Sequence, residues 1–298
     1  MKQCVILNPN AGSAAQVEQR ISAIGPHELL LTKVPGDATR LARQAVANGF
    51  DRVIAAGGDG TLNEVVNGLV GAPRRVEMGL LPLGTANDFA RTVNIPADLA
   101  GAAAVLEAGR TQEVDVVKLT PCDSAEHYFI NVSAGGFSTK VDKNIDKQTK
   151  VTWGSLGYAI SALKAFPELE PYEATLTFDD ESSVTVLIYS LVVANARFVG
   201  GGIPVAPEAD LSDGLFDVIV FRAVTLTRLM TLVPKAMLGQ HLNDDDVLYR
   251  RVSRFEVSSQ PPFELNTDGE VVGRCPATFE IVPKAITFVV GTPPNATT

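Results

Sequence analysis

Short apolar runs alternate with amphipathic stretches along the first part of the chain, and the repeat switches between the strand period and the helix period. Lys2–Leu7 predicts a strand and Ala14–Ile24 a helix. Glu28–Thr32 predicts a second strand, followed by a helix over Asp37–Asn48 that Asp37 caps and Gly49 stops. Arg52–Ala56 is a third strand feeding a helix at Leu62–Val70. Met78–Leu83 is a fourth, leading into an Asn87–Val93 turn and a helix at Leu99–Ala108. Strands and helices alternating at these lengths predict a largely parallel, helix-covered α/β sheet, which binds ligands at the carboxyl ends of its strands.

From Glu113 onward the pattern changes. Val114–Leu119, Tyr128–Val132, Glu173–Phe178, Val184–Ala194, Leu215–Arg222, Val247–Ser258, Phe263–Asn266 and Ala277–Val282 read as strands with turn residues between them. Helices are expected only at Ser155–Ala165 and at Leu226–Leu238, the second bent by Pro234. Such a run of strands predicts a β-rich antiparallel sandwich. The expected division is an α/β nucleotide-binding domain over 1–120 and a sandwich domain over 121–284. The last strand, Ala285–Val290, is expected to return to the first domain, and the tail Thr292–Thr298 to be loose.

Two turns carry the chemistry. Arg52-Val-Ile-Ala-Ala-Gly-Gly-Asp-Gly-Thr-Leu-Asn-Glu64 and Met78-Gly-Leu-Leu-Pro-Leu-Gly-Thr-Ala-Asn-Asp-Phe-Ala-Arg91 each end an apolar strand at glycine. A hydroxyl residue then opens a helical pattern. This arrangement presents backbone N–H groups and a helix N-terminus to phosphate. Each turn also holds an aspartate, Asp59 and Asp88. A carboxylate beside a phosphate is repelled by ~4 kcal/mol at 4 Å and an effective dielectric of 20, so a divalent cation is expected between them. A tight strand-to-helix connection explains the glycines but not an aspartate set among them. For Thr85, Asn87 and Asp88, capping of a short helix is the plain structural alternative.

GGDGTLNEVVNGL (57–69) followed by LPLGTANDFAR (81–91) resembles the signature blocks of the diacylglycerol kinase catalytic domain and, within it, the bacterial soluble lipid kinases of the DgkB and YegS type. GGDGT alone is shared with NAD kinases and phosphofructokinases; GTxNDFAR at this spacing is much more specific. The resemblance implies ATP and Mg²⁺, and implies nucleotide contacts from Gly57, Gly58, Asp59, Gly60, Thr61, Asn63, Glu64, Gly84, Thr85, Asn87 and Asp88. It extends to Asn8, Pro9, Asn10 and Gly12, which match the NPxSG loop with Ala11 for serine and Ser13 for a frequent lysine, and to Thr32. An ordinary strand-to-helix turn and a threonine finishing a strand are the bland readings of these. The aspartates matching Asp59, Asp88 and Asp115 belong in relatives to one network around Mg²⁺ and ATP. Asp115 also stands out by itself, as a carboxylate in an apolar strand that needs a partner; Arg91 is a candidate.

Asp-Gly recurs at 213–214 and 268–269, and two hairpin turns account for that. The resemblance adds a structural Mg²⁺ held by Asp210, Asp213 and the carbonyl of Leu215, and a catalytic base at Glu270. If Asn266–Glu270 stays extended, Asp268 and Glu270 point to one side. Lys140, Lys143, Lys147 and Lys150 followed by Trp153, Tyr158, Leu163 and Phe166 suit either membrane contact or a solvated loop entering a core helix.

Composition narrows the field. At 298 residues the chain is long enough for two domains, and a net charge of −9 argues against nucleic acid as the main partner. Three cysteines without CxxC, three isolated histidines without HExxH and the absence of Gly-Lys exclude a zinc cage, a zinc hydrolase and a Walker A loop. No apolar stretch approaches the ~18 residues of a membrane span. The opening apolar run is too short for a signal peptide, so a cytoplasmic location is expected, with peripheral contact at the inner membrane face and a homodimer left open. The expected function is transfer of the ATP γ-phosphate to a lipid alcohol. The alternatives are a kinase of a soluble alcohol such as NAD and a non-catalytic lipid- or nucleotide-binding protein.

Overall fold

The computed structural model describes residues 1–12, 25, 27–136 and 170–293. The helices expected at Ala14–Ile24 and Ser155–Ala165, Ser13 and the lysine and aromatic run of 138–166 lie outside these residues. The chain divides into two compact units, Met1–Val116 with Pro283–Thr298, and Val117–Val282.

The first unit is built on parallel strands β1 (Gln3–Leu7), β2 (Glu28–Leu31), β3 (Arg52–Gly57) and β4 (Glu77–Pro82) in the order β2-β1-β3-β4. β1 and β3 are buried along their whole length, as strands covered on both faces must be. The strand order reverses beside β1, and such switch points open a crevice at the carboxyl ends. Helices α1 (Asp37–Ala47) and α2 (Asp59–Leu69) pack closely: a Cβ on Gly68 would lie 2.6 Å from the Thr39 carbonyl oxygen. Short α3 (Asp88–Thr92) and α4 (Leu99–Ala108) follow. The last strand, β15 (Ala277–Val289), brings Thr287 and Phe288 alongside Glu77 and Met78 of β4.

Several elements differ from the sequence pattern. α2 begins at Asp59, not Leu62, because Gly58 serves as its N-cap and the hydrophilic first turn is helical. The Asn87–Val93 turn is the helix α3. Asp37 does not cap α1: Gly36, at φ 85°, takes that position, and the Asp37 carboxylate turns back to accept the N–H groups of Lys33 and Val34.

The second unit is antiparallel. β5 (Thr111–Pro121) enters it and pairs with β6 (His127–Phe129). β7 (Val132–Gly136), β8 (Tyr172–Phe178) and the twelve-residue β9 (Ser183–Ala194) follow, and one edge of β9 passes from β8 to β7 while its other edge takes β10 (Phe216–Arg222). After helix α5 (Leu226–Met237) come β11 (Val247–Val252), β12 (Arg254–Gln260), β13 (Glu264–Thr267) and β14 (Glu270–Arg274). Alternation decides what is buried. In β8, Tyr172, Ala174, Leu176 and Phe178 face a core shared with Phe129, Phe255 and Phe279, and the residues between them face outward.

Val247–Ser258, expected as one strand, is two. Ser253 breaks it by donating its N–H and hydroxyl to Asp179, after which the chain leaves β10 to pair with β8. Ala277–Val282 and Ala285–Val290, expected as separate strands, are the single β15, and β14 has no counterpart in the sequence pattern. No described helix is long and apolar enough to cross a membrane.

Candidate active site

In the first unit, the residues that follow four parallel strands come together at the carboxyl ends. Asn8 donates its N–H to the Ala56 carbonyl, Thr32 to Leu7, and Leu83 to Gly57, so the ladders of β1, β2, β3 and β4 run directly into the loops. The Asn8 amide donates to the Thr61 hydroxyl at 3.4 Å, tying the first loop to α2. Asn10 is held by an N–H bond to the Asn8 side chain, and Pro9, Asn10, Gly12 and Thr85 are exposed.

The two glycine turns fit against each other. A Cβ built on Gly84 would stand 2.6 Å from the Gly58 Cα, and one on Gly57 would stand 2.4 Å from the Thr61 hydroxyl. Only glycine permits that approach. Gly58 has no side chain with which to cap α2, which leaves the helix N-terminus with backbone donors toward the site. Asn87 closes the second turn as a clasp: its Oδ1 accepts the Gly84 N–H at 2.9 Å and its Nδ2 donates to the Gly84 carbonyl at 2.7 Å.

That clasp uses up the side chain that would cap α3, and Asp59 caps the helix instead. The Asp59 carboxylate accepts the N–H groups of Asp88 and Phe89, each at 3.3 Å. Burial pushes the Asp59 carboxyl above its ordinary range, against the lowering effect of these N–H bonds. Phe89 anchors the other side of α3 by an edge-to-face contact with Phe288, centroids 5.1 Å apart. Asp88 is buried at 4% exposure.

Three other expected residues have structural ties. The Glu64 carboxylate accepts the Ala38 N–H at the start of α1, and buried Asn63 receives the Asn67 amide. Asp115, fully buried, accepts the Lys284 N–H at 2.7 Å; Arg91 is exposed.

In the second unit, Asp268-Gly269 forms a two-residue hairpin with φ of 50° and 94°, so Thr267 pairs with Glu270. Asn266–Glu270 is therefore not extended, and the extended geometry that would have put Asp268 and Glu270 on one side is absent. The Asp268 carboxylate accepts the Val132 N–H at 3.0 Å, whereas Glu270 opens β14 exposed. Asp213-Gly214 is not a hairpin: Asp213 accepts the N–H of Leu215 just before β10 and forms an ion pair with Arg251. Asp210 accepts the N–H and hydroxyl of Ser212.

The sequence reading missed Asp217, which is 2% exposed on β10 and takes a hydrogen bond from the Tyr249 hydroxyl. Burial pushes its carboxyl up to about 6, and burial raises the Tyr249 hydroxyl as well. The signal was available: a lone carboxylate in Phe-Asp-Val-Ile-Val, the same pattern that marks Asp115.

Residues 2–119 match the diacylglycerol kinase catalytic domain, and residues 131–290 match the YegS C-terminal NAD kinase beta sandwich-like domain. A diacylglycerol kinase of Bacillus subtilis (strain 168) is 33% identical over 92% of this chain and 91% of its own length. One from Staphylococcus epidermidis (strain ATCC 12228 / FDA PCI 1200) is 35% identical over 83% of this chain and 77% of its own. A solved structure from Bacillus anthracis str. Sterne, assigned to the diacylglycerol kinases, superposes with a TM-score of 0.82 at 25% identity, covering 97% of this chain and 95% of that one. The chain therefore belongs to the diacylglycerol kinase catalytic-domain family, the ATP-dependent lipid kinases, in its bacterial form with a YegS-type C-terminal sandwich.

Proposed function

We propose that this chain transfers the γ-phosphate of ATP to the hydroxyl of a lipid alcohol, with diacylglycerol or a close relative as the acceptor. The observation that carries this is the convergence of Asn8, Gly58, Asp59, Gly84 and Asn87 at the carboxyl ends of β1, β3 and β4. Closely opposed glycines and an uncapped helix N-terminus suit the phosphates of ATP. A site of this kind works by positioning and by offsetting charge on the transferring group.

Asp59 and Asp88 would hold Mg²⁺. The fit rests on the enclosed Asp59 carboxylate, for which a cation offsets the burial that raises its pKa. When bound there, the ion would neutralise charge on the phosphate oxygens. Asp210, Asp213 and the Leu215 carbonyl would offer a second Mg²⁺ the all-oxygen ligation it prefers, with Arg251 as the competitor for Asp213.

Glu270 acts as general base. It takes the acceptor's hydroxyl proton as the new O–P bond forms and the bond to the ADP oxygen breaks. Its exposure leaves it open to substrate, whereas the Asp268 carboxylate already serves the Val132 N–H. The first unit is the ATP-binding part and the second the lipid-binding part, in contact with the inner face of a membrane from the cytoplasm.

The test is incubation with γ-labelled ATP and a total lipid extract, with diacylglycerol as the defined acceptor. Label should enter an organic-phase phosphate monoester, and excess EDTA should abolish it. Label found only in a water-soluble product would overturn the lipid assignment.

A further inference from the structure

We propose that Glu64 is a positioning residue for ATP: it ties the turn after β2, where the nucleoside end lies, to the helix whose N-terminus faces the phosphates. The inference rests on the kinase reading above. Helix α1 begins without a cap of its own. Gly36 stands at its N-cap position with φ 85° and has no side chain to accept a helix N–H. Glu64 supplies the missing acceptor from α2, its carboxylate taking the Ala38 N–H at 3.0 Å. The Thr39 hydroxyl donates to the Glu64 carbonyl at 2.8 Å, and Gly68, one turn further along α2, leaves room for the Thr39 carbonyl. Two carboxylates of α2 thus hold its neighbours, Asp59 the start of α3 and Glu64 the start of α1.

The segment that Glu64 fixes is the one ATP must cross. The strand order β2-β1-β3-β4 puts the phosphate turns on β3 and β4. Helix α3 stands on the β4 side, its Phe89 packed against Phe288 of β15. The nucleoside therefore runs over β1 toward β2, two strand spacings or about 10 Å away. The turn there is backbone held in place by its surroundings. Thr32 donates its N–H to the Leu7 carbonyl, and the Asp37 carboxylate accepts the N–H groups of Lys33 at 2.8 Å and Val34 at 3.2 Å. Asp37 is itself the first residue of α1, so the turn moves with that helix. Glu64, reaching the adjacent Ala38, joins this turn to the phosphate cradle. Its carboxylate is already engaged by the Ala38 N–H, so Glu64 acts through α1 and not by touching the nucleotide.

The experiment compares the full chain with Glu64→Ala, Glu64→Gln and Asp37→Ala, by calorimetric titration with ATP and Mg²⁺ and by initial rates with diacylglycerol. Glu64→Ala removes the acceptor for the Ala38 N–H and should raise the Kd and KM for ATP about tenfold, the scale of one charge-assisted hydrogen bond. Its kcat at saturating ATP should stay within about threefold of wild type, as expected when only binding is affected. Glu64→Gln keeps an oxygen acceptor in place and should bind ATP as wild type does. Asp37→Ala releases the Lys33 and Val34 N–H groups from the other side of the same turn and should also raise the Kd; it carries the test if Glu64→Ala does not fold. Equal loss in Glu64→Gln and Glu64→Ala would mean that the charged carboxylate meets the nucleotide directly, and overturns the proposal. So does a wild-type Kd in Asp37→Ala, or a Glu64→Ala protein that melts lower yet binds ATP normally, which would leave Glu64 a purely structural role. Calorimetry needs no acceptor, so failure of the lipid assignment leaves this result intact. Absence of ATP binding by wild type would sink the kinase reading and this inference with it.

Discussion

Asp59 opens α2 yet caps α3: its carboxylate oxygens lie 3.3 Å from the N–H groups of Asp88 and Phe89. One side chain thereby locks the two glycine turns in register. The same carboxylate is the group proposed to meet the cation, so loop geometry and metal affinity are coupled through one residue.

Asp59→Asn should show that coupling through pH. The folded-state pKa of Asp59 is raised, so the native state binds more protons than the unfolded chain above the ordinary carboxylate range. Its contribution to stability is fullest below the unfolded pKa and is lost as pH rises through the folded one. Without Mg²⁺, the melting temperature of wild type should therefore fall relative to Asp59→Asn as pH rises. Mg²⁺ at neutral pH should restore wild type alone. Turnover in the variant should drop by about 10²–10³, the scale of losing one preorganised electrostatic group. A Mg²⁺ effect of equal size in both proteins would remove Asp59 from the cation site.

Gly84→Ala tests the contact between the turns. The new methyl would sit 2.6 Å from the Gly58 Cα, a backbone atom that cannot swing aside. Destabilisation of about 1–3 kcal/mol is expected from overpacking. Gly58→Val, with its Cβ 3.3 Å from the Gly84 Cα, should also abolish ATP binding in calorimetry. Wild-type affinity in Gly58→Val would place the phosphates elsewhere.

Glu270→Gln and Asp268→Asn separate base from scaffold. Glu270 is exposed, so its amide should leave the melting temperature and ATP affinity alone while kcat falls by about 10²–10⁴. Asp268→Asn weakens the bond to the Val132 N–H and should lower stability by about 1 kcal/mol, with a smaller kinetic effect. Near-normal kcat in Glu270→Gln would exclude it as the base.

What the sequence disclosed follows from how local each signal is. β3 and β4 and their glycine turns were legible because largely apolar runs ending in Gly-Gly-Asp-Gly or Leu-Gly-Thr leave little choice of structure. The break at Ser253 was not, because Val247–Ser258 is β-favouring throughout and only the distant Asp179 interrupts it. The same holds at the site. Glycine, asparagine and aspartate could be picked out by type, but the Asp59 cap of α3 spans about thirty residues and no spacing rule encodes it. Gly57's need to avoid Thr61, four residues on, is the local exception.

Asp217 gives a second pH-dependent prediction, in the other unit. Its folded pKa of about 6 exceeds the ordinary carboxylate value, so its contribution to stability is present at acid pH and is lost as pH rises from about 4 through about 6. Asp217→Asn should therefore gain on wild type by up to roughly 3 kcal/mol in urea unfolding between those limits. Tyr249→Phe should remove the hydroxyl that donates to Asp217 and destabilise the protein most at neutral pH, where the carboxylate is ionised. A pH-independent difference between wild type and Asp217→Asn would show that the group stays ionised throughout.

The last prediction concerns the competition at Asp213. One of its oxygens accepts the Leu215 N–H and the other meets the Arg251 guanidinium, so a cation bound there must displace a cation already present. Asp213→Ala should abolish Mg²⁺-dependent thermal stabilisation from this site, and that result alone leaves open a general loss of local structure. Arg251→Ala separates the two explanations. It frees the Asp213 oxygen and removes a like charge from the ion's neighbourhood, so Mg²⁺ affinity should rise even as the metal-free protein loses the ion pair. The partly exposed pair contributes little stability by itself, about 0–1 kcal/mol, so the metal-free melting temperature should change only slightly. Titration calorimetry on the nucleotide-free protein reads the affinity directly. Weaker Mg²⁺ binding in Arg251→Ala would mean that the ion does not use Asp213 and that Asp213 serves only to turn the chain into β10.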